Sequence, residues 1–367
     1  MVMVKVGIFT DTYYPQVNGV TYTVRNWVDK LVERGHEVRL FYPSGDYKPR
    51  PNEFPSRSLE FKFYRGYRMG LGLDVMKHAK GLDVVHIHGL FNMAVTGYVV
   101  ARMQHIPRVL TFHTPVDEYI SYITKNKAAQ GVLRGMYEVW QRRLFNSCRV
   151  VTVPTGVIKE RLEHMGVRNV TVLSNGLDVG FFRRVDYAAF RKKYNVPDGR
   201  VIGFCGRFGY EKHLEDLISL ADGFDGTILI AGSGPAEEYY RKMCSGKKNI
   251  VFLGFLSREE LLAFYSNLDV FVFPSVAETQ GLVALESMAC GVPVVGANAL
   301  ALRETIVDGV NGYHYTQGNL AELREKLAMA YENKAKLGRG CLDFARIHSV
   351  DHTVDGLIKI YEGILSK

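Results

Sequence analysis

Short Val/Ile-rich runs separated by longer amphipathic stretches recur along the whole chain, and this alternation most limits what it can build. Strands are predicted at 4–10, 37–42, 84–88, 108–113 and 150–153, and again at 201–205, 227–231, 250–253, 269–273 and 292–296. Strands apolar on both faces, with helical patterns between them, predict parallel sheets covered on both sides by helices. A chain of 367 residues exceeds one comfortable core, so two Rossmann-like α/β domains in tandem are expected. The turn-rich Ser174-Asn175-Gly176-Leu177-Asp178 follows a further strand at 170–173 and places the boundary there: 1–175 and 176–348. In the first helix Val24, Trp27, Val28, Leu31 and Val32 share a face and Gly35 ends it, while Ser257-Arg258-Glu259-Glu260 reads as a capping box.

Open α/β sheets bind ligands outside the carboxyl ends of their strands, so the loops after each strand carry the functional reading. After the strand at 269–273 comes Pro274-Ser275-Val276-Ala277-Glu278-Thr279-Gln280-Gly281-Leu282-Val283-Ala284-Leu285-Glu286. Gln280-Gly281-Leu282 can open a helix whose free N–H groups face an anion. Glu278 would sit in the loop before that helix and Glu286 one to two turns inside it, so the two acids would flank a bound phosphate. After the strand at 201–205, Gly206-Arg207-Phe208-Gly209-Tyr210-Glu211-Lys212 supplies a guanidinium that can fork to phosphate oxygens and a mobile ammonium. Two solvated surface charges would look the same. Ala231-Gly232-Ser233-Gly234-Pro235 forms a third glycine loop. In the first half, Gly19 stands ahead of the first helix, in a loop without the G-x-G-x-x-G fingerprint of dinucleotide binding. His113 ends the strand at 108–113, and His86-Ile87-His88 is read as alternating across its strand, with rings on opposite sides that cannot share a metal.

Composition excludes several classes. Apolar and charged contents of 47% and 23% are those of a globular protein. No apolar run approaches the roughly 18 residues of a membrane span, and no signal-peptide pattern opens the chain, so a cytoplasmic location is expected. Five scattered cysteines suggest reduced structural thiols, with neither a disulfide framework nor a zinc site. The net charge of +8 is uneven: 26 Lys+Arg stand against 16 Asp+Glu in residues 1–190, and 20 against 22 in the rest. An anionic partner for the first half is implied, a membrane surface or nucleic acid.

The Glu-x7-Glu segment, followed by Ser287-Met288-Ala289-Cys290-Gly291-Val292-Pro293 and by Arg303-Glu304-Thr305-Ile306-Val307-Asp308-Gly309-Val310-Asn311-Gly312, resembles the donor-site signature of the retaining family 4 glycosyltransferases. The resemblance implies a GT-B fold, two Rossmann-like domains facing each other across a cleft, with a nucleotide-sugar-binding C-terminal domain, an acceptor-binding N-terminal domain and a final helix at 349–365 returning to the latter. It implies hexose transfer, glucose or mannose, from a UDP-sugar or GDP-sugar by a front-side route, in which the departing phosphate takes the acceptor proton, without a metal or other cofactor. Implied catalytic residues are His113 beside the anomeric centre, Arg207 and Lys212 on the diphosphate, and Glu278 on the sugar hydroxyls. Gly19, Gly206, Gly232, Gly234, Gln280, Gly281 and Leu282 would line the donor, and Glu286 would hold the ribose. Relatives often carry glycine where this chain has Asn18 and His213.

Two first-half stretches are basic and aromatic: Arg57 to Arg68, with Phe61, Phe63, Tyr64 and Tyr67, and Lys125 to Arg149. In the second, Val132, Leu133, Met136, Val139, Trp140 and Leu144 share a helical face, with Arg134, Arg142 and Arg143 toward the other side. An interfacial helix drawn to anionic lipid fits this pattern, and so does a helix packed on a core with solvated arginines. The segment from Phe112 to Ile123 is similar to that of prokaryotic diacylglycerol glycosyltransferases. The leading expectation is therefore a peripheral enzyme on the inner face of the membrane with a lipid acceptor. A soluble acceptor (sugar, inositol phosphate or polysaccharide) and a non-enzymatic membrane-surface or nucleic-acid-binding protein are the other readings; nucleic acid is disfavoured because it gives the glycine loops no purpose.

Overall fold

The computed structural model describes residues 3–60, 68–114 and 126–366. The chain divides into two compact units, one running to Gly176 and resuming at Val350, the other spanning Leu177–Ser349.

In the first unit the described strands are β1 (Lys5–Thr10), β2 (Glu37–Pro43), β3 (Glu53–Ser56), β4 (Ser58–Glu60), β5 (Arg68–Gly70), β6 (Val84–His88), β7 (Arg108–Thr111), β8 (Val150–Val153) and β9 (Val170–Val172). Seven of them form one sheet in the order β3-β2-β1-β6-β7-β8-β9, and β4 and β5 pair as a small antiparallel ribbon. Every pairing in the large sheet is parallel, with Val6 opposite both Val38 and Val84. All five residues of β6 are buried, as a central parallel strand requires. The helix Gly19–Glu33 opens at Asn18, whose Oδ1 accepts from the Thr21 N–H, so the residue that departs from the family pattern has a capping role. Val24, Trp27 and Leu31 of this helix are fully buried, but Val32 is exposed. At 100° per residue it has drifted to the edge of the stripe, so the apolar face is narrower than expected. The last helix, Val350–Leu365, buries Val354, Leu357, Ile358 and Tyr361 in the same cluster as Val6, Ile8 and Trp27. Arg34 reaches its Asp351 and Asp355, at 3.1 and 2.9 Å.

Asp11, just past β1, fastens the helix Asn92–Gln104, which has no capping side chain of its own. Its carboxylate accepts from the backbone N–H groups of Leu90 and Phe91, both at 2.7 Å, of Met93 at 2.9 Å and of Ala94 at 3.4 Å. A Cβ on Gly89 would lie 2.0 Å from Asp11 Oδ2, which explains the glycine there. Asp11→Ala strands these donors in the interior, and the expected cost is about 3 kcal/mol of stability. The urea midpoint of the transition that unfolds this unit is the measurement.

In the second unit the described strands are β10 (Val201–Cys205), β11 (Thr227–Ala231), β12 (Ile250–Gly254), β13 (Val270–Phe273), β14 (Val294–Ala297) and β15 (Gly312–Tyr315). They form one parallel sheet in the order β12-β11-β10-β13-β14-β15. Ser257 and Glu260 make the expected capping box at the start of the helix Arg258–Asn267. All five cysteines are unpaired, and among the described residues no helix is long and apolar enough to cross a membrane.

Candidate active site

Strand order reverses between β10 and β13: from β10 the chain moves outward to β11 and β12, then returns to the other side. Open α/β sheets take ligands outside the carboxyl ends of the strands at such a switch point, which is where the loops after β10 and β13 lie. Arg207 and Lys212 lie on the first loop, Glu278 on the second. Lys212 Nζ is 2.5 Å from Glu278 Oε1 and 3.5 Å from Ser275 Oγ, and Arg207 Nη1 is 3.3 Å from Glu211 Oε1. The loops are also joined through their backbones, from the Val276 N–H to the Glu211 carbonyl. Two cations and two carboxylates therefore converge at the switch point, each cation already paired.

The glycines around them have separate reasons. A Cβ on Gly232 would stand 1.9 Å from the Gly206 carbonyl oxygen, and one on Gly234 would be 2.5 Å from the carbonyl of Phe208. These two let the loop after β11 lie directly on the loop after β10 and so shape its backbone. Gly281, at φ 80°, is the left-handed residue ahead of the helix Leu282–Ala289. The buried Gln280 before it is held by Thr305, whose hydroxyl donates to the Gln280 carbonyl at 2.7 Å. His213 also has a left-handed backbone, φ 46°, which explains why a glycine suits this position in relatives.

Glu286 lies on the fifth residue of the helix Leu282–Ala289, and the hydroxyl of fully buried Tyr265 donates to its Oε2 at 2.6 Å. Burial pushes the Glu286 carboxyl up to about 7, against the opposing Tyr265 hydrogen bond. Tyr265 carries no motif, and its only sequence signal is membership of an amphipathic helix.

In the first unit His113 stands two residues beyond β7, and its Nε2 is 2.9 Å from His88 Nδ1. The expectation for His86 and His88 is overturned: their ring centroids are 4.2 Å apart on one side of β6, because positions i and i+2 of a strand share a face. They still form no chelate, since the two nitrogens of His86 are engaged by Tyr361 OH at 2.6 Å and Thr111 Oγ1 at 2.7 Å. Burial pushes His113 down to about 4 and His86 to about 3, so both are neutral at pH 7. Gly19 is the first residue of its helix and is exposed.

The stretch with Arg134, Trp140, Arg142 and Arg143 is the helix Lys127–Asn146. Its last turns are anchored by buried Gln141, Leu144 and Phe145, and Trp140 Nε1 donates to the Leu90 carbonyl at 3.2 Å. Val132, Leu133, Met136 and Val139 are exposed, as are the three arginines. Phe61, Phe63, Tyr64, Tyr67 and the segment from Pro115 to Ile123 lie outside the described residues.

Among solved structures, Anabaena HepE in complex with UDP and glucose matches at a TM-score of 0.79 with 18% identity, over 98% of this chain and 100% of that one. Sucrose-phosphate synthase from Thermosynechococcus elongatus matches at 0.79 with 18% identity over both full chains. Two Rossmann-like units of this kind are those of the GT-B fold. Residues 17–181 match the family model Glycosyltransferase Family 4, and residues 186–341 match Glycosyl transferases group 1. A GDP-mannose-dependent alpha-mannosyltransferase of Mycolicibacterium smegmatis is 30% identical over 323 residues, 82% of each chain. An Alpha-monoglucosyldiacylglycerol synthase of Acholeplasma laidlawii is 28% identical over 361 residues, 91% of this chain and 90% of that one. The chain belongs to glycosyltransferase family 4.

Proposed function

We propose that this enzyme moves a glucosyl or mannosyl group from a nucleoside-diphosphate sugar to a membrane-lipid hydroxyl, with retention and without a metal ion. The observation that carries the reading is the convergence of Arg207, Lys212 and Glu278 where the loops after β10 and β13 part. In a nucleotide sugar the diphosphate lies between two hydroxyl-rich rings. Arg207, Lys212 and the N–H groups opening the helix Leu282–Ala289 stabilise negative charge as it builds on the leaving phosphate. Glu278 accepts from sugar hydroxyls and Glu286 from the ribose. The leaving phosphate takes the acceptor proton on the face from which it departs, so no second carboxylate is required. His113, neutral at pH 7, serves as a hydrogen-bonding group to the donor sugar rather than as an acid.

The lipid acceptor is supported by the exposed apolar row of the helix Lys127–Asn146. Val132 and Met136 are 64% and 67% exposed, which a core-packed helix would not leave in water. Arg134, Arg142 and Arg143 on the same helix add attraction to anionic headgroups. The Acholeplasma relative is named for a glycolipid product, which agrees. Replacing Val132 and Met136 together by glutamate is expected to weaken sedimentation with anionic vesicles by about tenfold or more, while nucleotide binding stays unchanged.

Thermal shift with UDP, GDP, ADP and their glucose and mannose conjugates tests the donor, because a ligand of the native state raises its stability. One nucleotide standing clear of the others names it; no shift with any of them overturns the reading. The GDP-mannose dependence named for the Mycolicibacterium relative makes GDP-mannose the first rival to UDP-glucose. Turnover is expected to survive a chelator, and its complete loss would contradict metal-free transfer.

A further inference from the structure

His113, His88 and His86 lie in a row beside the ends of β6 and β7. We propose that His88 is a positioning residue for His113, donating its Nδ1–H to His113 Nε2 and holding the His113 ring as the tautomer protonated on Nδ1. The proposal rests on the sugar-contacting role given to His113 above.

Two imidazole nitrogens 2.9 Å apart need one N–H and one lone pair between them, and two neutral rings leave only the direction to decide. Burial keeps both rings neutral at pH 7. The other nitrogen of His88, Nε2, is buried without a polar partner among the described residues. A proton there would leave a buried N–H unmet; a lone pair is the less costly orphan. His88 therefore carries its proton on Nδ1, toward His113. His113 Nε2 is then the acceptor, and the single proton of that ring sits on Nδ1. Asn175 also hydrogen-bonds the His113 ring. The Asn175 backbone carbonyl accepts from Trp27 Nε1 at 2.7 Å.

The surroundings keep His88 in this pose. It is 1% exposed, with the Trp27 ring 5.4 Å away on an edge-to-face contact and His86 at 4.2 Å. His86 cannot exchange a proton with it. Thr152 donates to the Leu110 carbonyl and Thr111 to Thr152, so His86 Nε2–H donates to Thr111 and Tyr361 OH donates to His86 Nδ1. Thus the last helix, through Tyr361, supports the packing under His88, which faces His113.

The test compares His88→Phe, which keeps ring volume but removes the donor, with His88→Asn, whose amide nitrogen reaches the place of Nδ1. In histidine-labelled protein, nitrogen NMR is expected to show His113 protonated on Nδ1 in the wild type and in H88N, and a changed tautomer population in H88F. H88F is expected to lower kcat about tenfold or more with KM for the nucleotide sugar altered less than about twofold, and H88N to restore most of kcat. His113 protonated on Nε2 in the wild type, with the His88 N–H turned toward Trp27, would overturn the proposal. So would an H88F enzyme with an unchanged His113 tautomer. Undiminished turnover in His113→Ala would instead remove the role given to His113, and the NMR result would still decide whether His88 sets its tautomer.

Discussion

Replacing Lys212 by alanine is expected to lower kcat by about a hundredfold or more, the scale of losing one preorganised group at a developing charge. The effect has two parts. The ammonium proposed to meet the leaving phosphate is gone, and Glu278, whose carboxylate it pairs at 2.5 Å, is left as an unpaired anion at the proposed diphosphate site. Because both side chains are mostly buried, 13% and 15% exposed, that repulsion is only partly screened. Nucleotide-sugar affinity should therefore fall as well as turnover. Lys212→Ala combined with Glu278→Gln should recover affinity but not kcat, since the amide removes the repulsion without restoring the cation. Steady-state kinetics with calorimetry on the wild type and these two variants separates the terms. Normal turnover in the single mutant would take Lys212 out of the mechanism.

Nucleotide-sugar affinity is expected to rise with pH through about 7, the value to which burial pushes Glu286. In the proposed role ionised Glu286 accepts from the ribose hydroxyls, whereas the protonated acid presents its own hydrogen to them. With a pKa of about 7, only about a tenth of the enzyme is competent at pH 6 and about nine-tenths at pH 8, so the apparent Kd should improve about tenfold between them. The diphosphate of a nucleotide sugar is a diester with constant charge across this window, so the slope belongs to the protein. Glu286→Gln should bind weakly with a flat profile. Stability without ligand moves the opposite way. A carboxyl whose folded pKa lies above its unfolded value favours the native state at acid pH, and its contribution is lost as pH rises from about 4.5 to about 7. The melting temperature of wild type relative to Glu286→Gln should fall across that interval. A pH-independent affinity in the wild type would mean that Glu286 does not hold the ribose.

Much of the architecture was legible because strand periodicity and apolar runs are local. β1, β6, β10, β11 and β13 lie within a residue of their predicted positions at most ends. β14 starts two residues later than expected, because Val292 and Pro293 precede the first paired residue, Val294. β3, the β4–β5 ribbon and β15 were not read from the sequence. β3 carries Pro55 and the buried Glu53, and β15 is Gly-Tyr-His-Tyr, so neither shows the branched apolar signal of a parallel strand. In the candidate site, Arg207, Lys212 and Glu278 stand out in the sequence because each follows a strand end in a glycine-bearing loop, and Glu286 because it lies in the helix that the second of these loops opens. Their partners do not. Tyr265 is 21 residues from Glu286, His88 is 25 from His113, and Asp11 is about 80 from the N–H groups it satisfies.

The amino-acid sequence by itself determined which segments become strands and helices, and which loops carry cations, acids and glycines, since those properties depend on a residue and its near neighbours. Only the tertiary structure decided how they pair: Lys212 with Glu278 across 66 residues, Glu286 with Tyr265, His113 with His88. Sheet order brings those loops and strand ends together, and burial then makes each polar atom take whatever partner the packing provides, which no local pattern encodes.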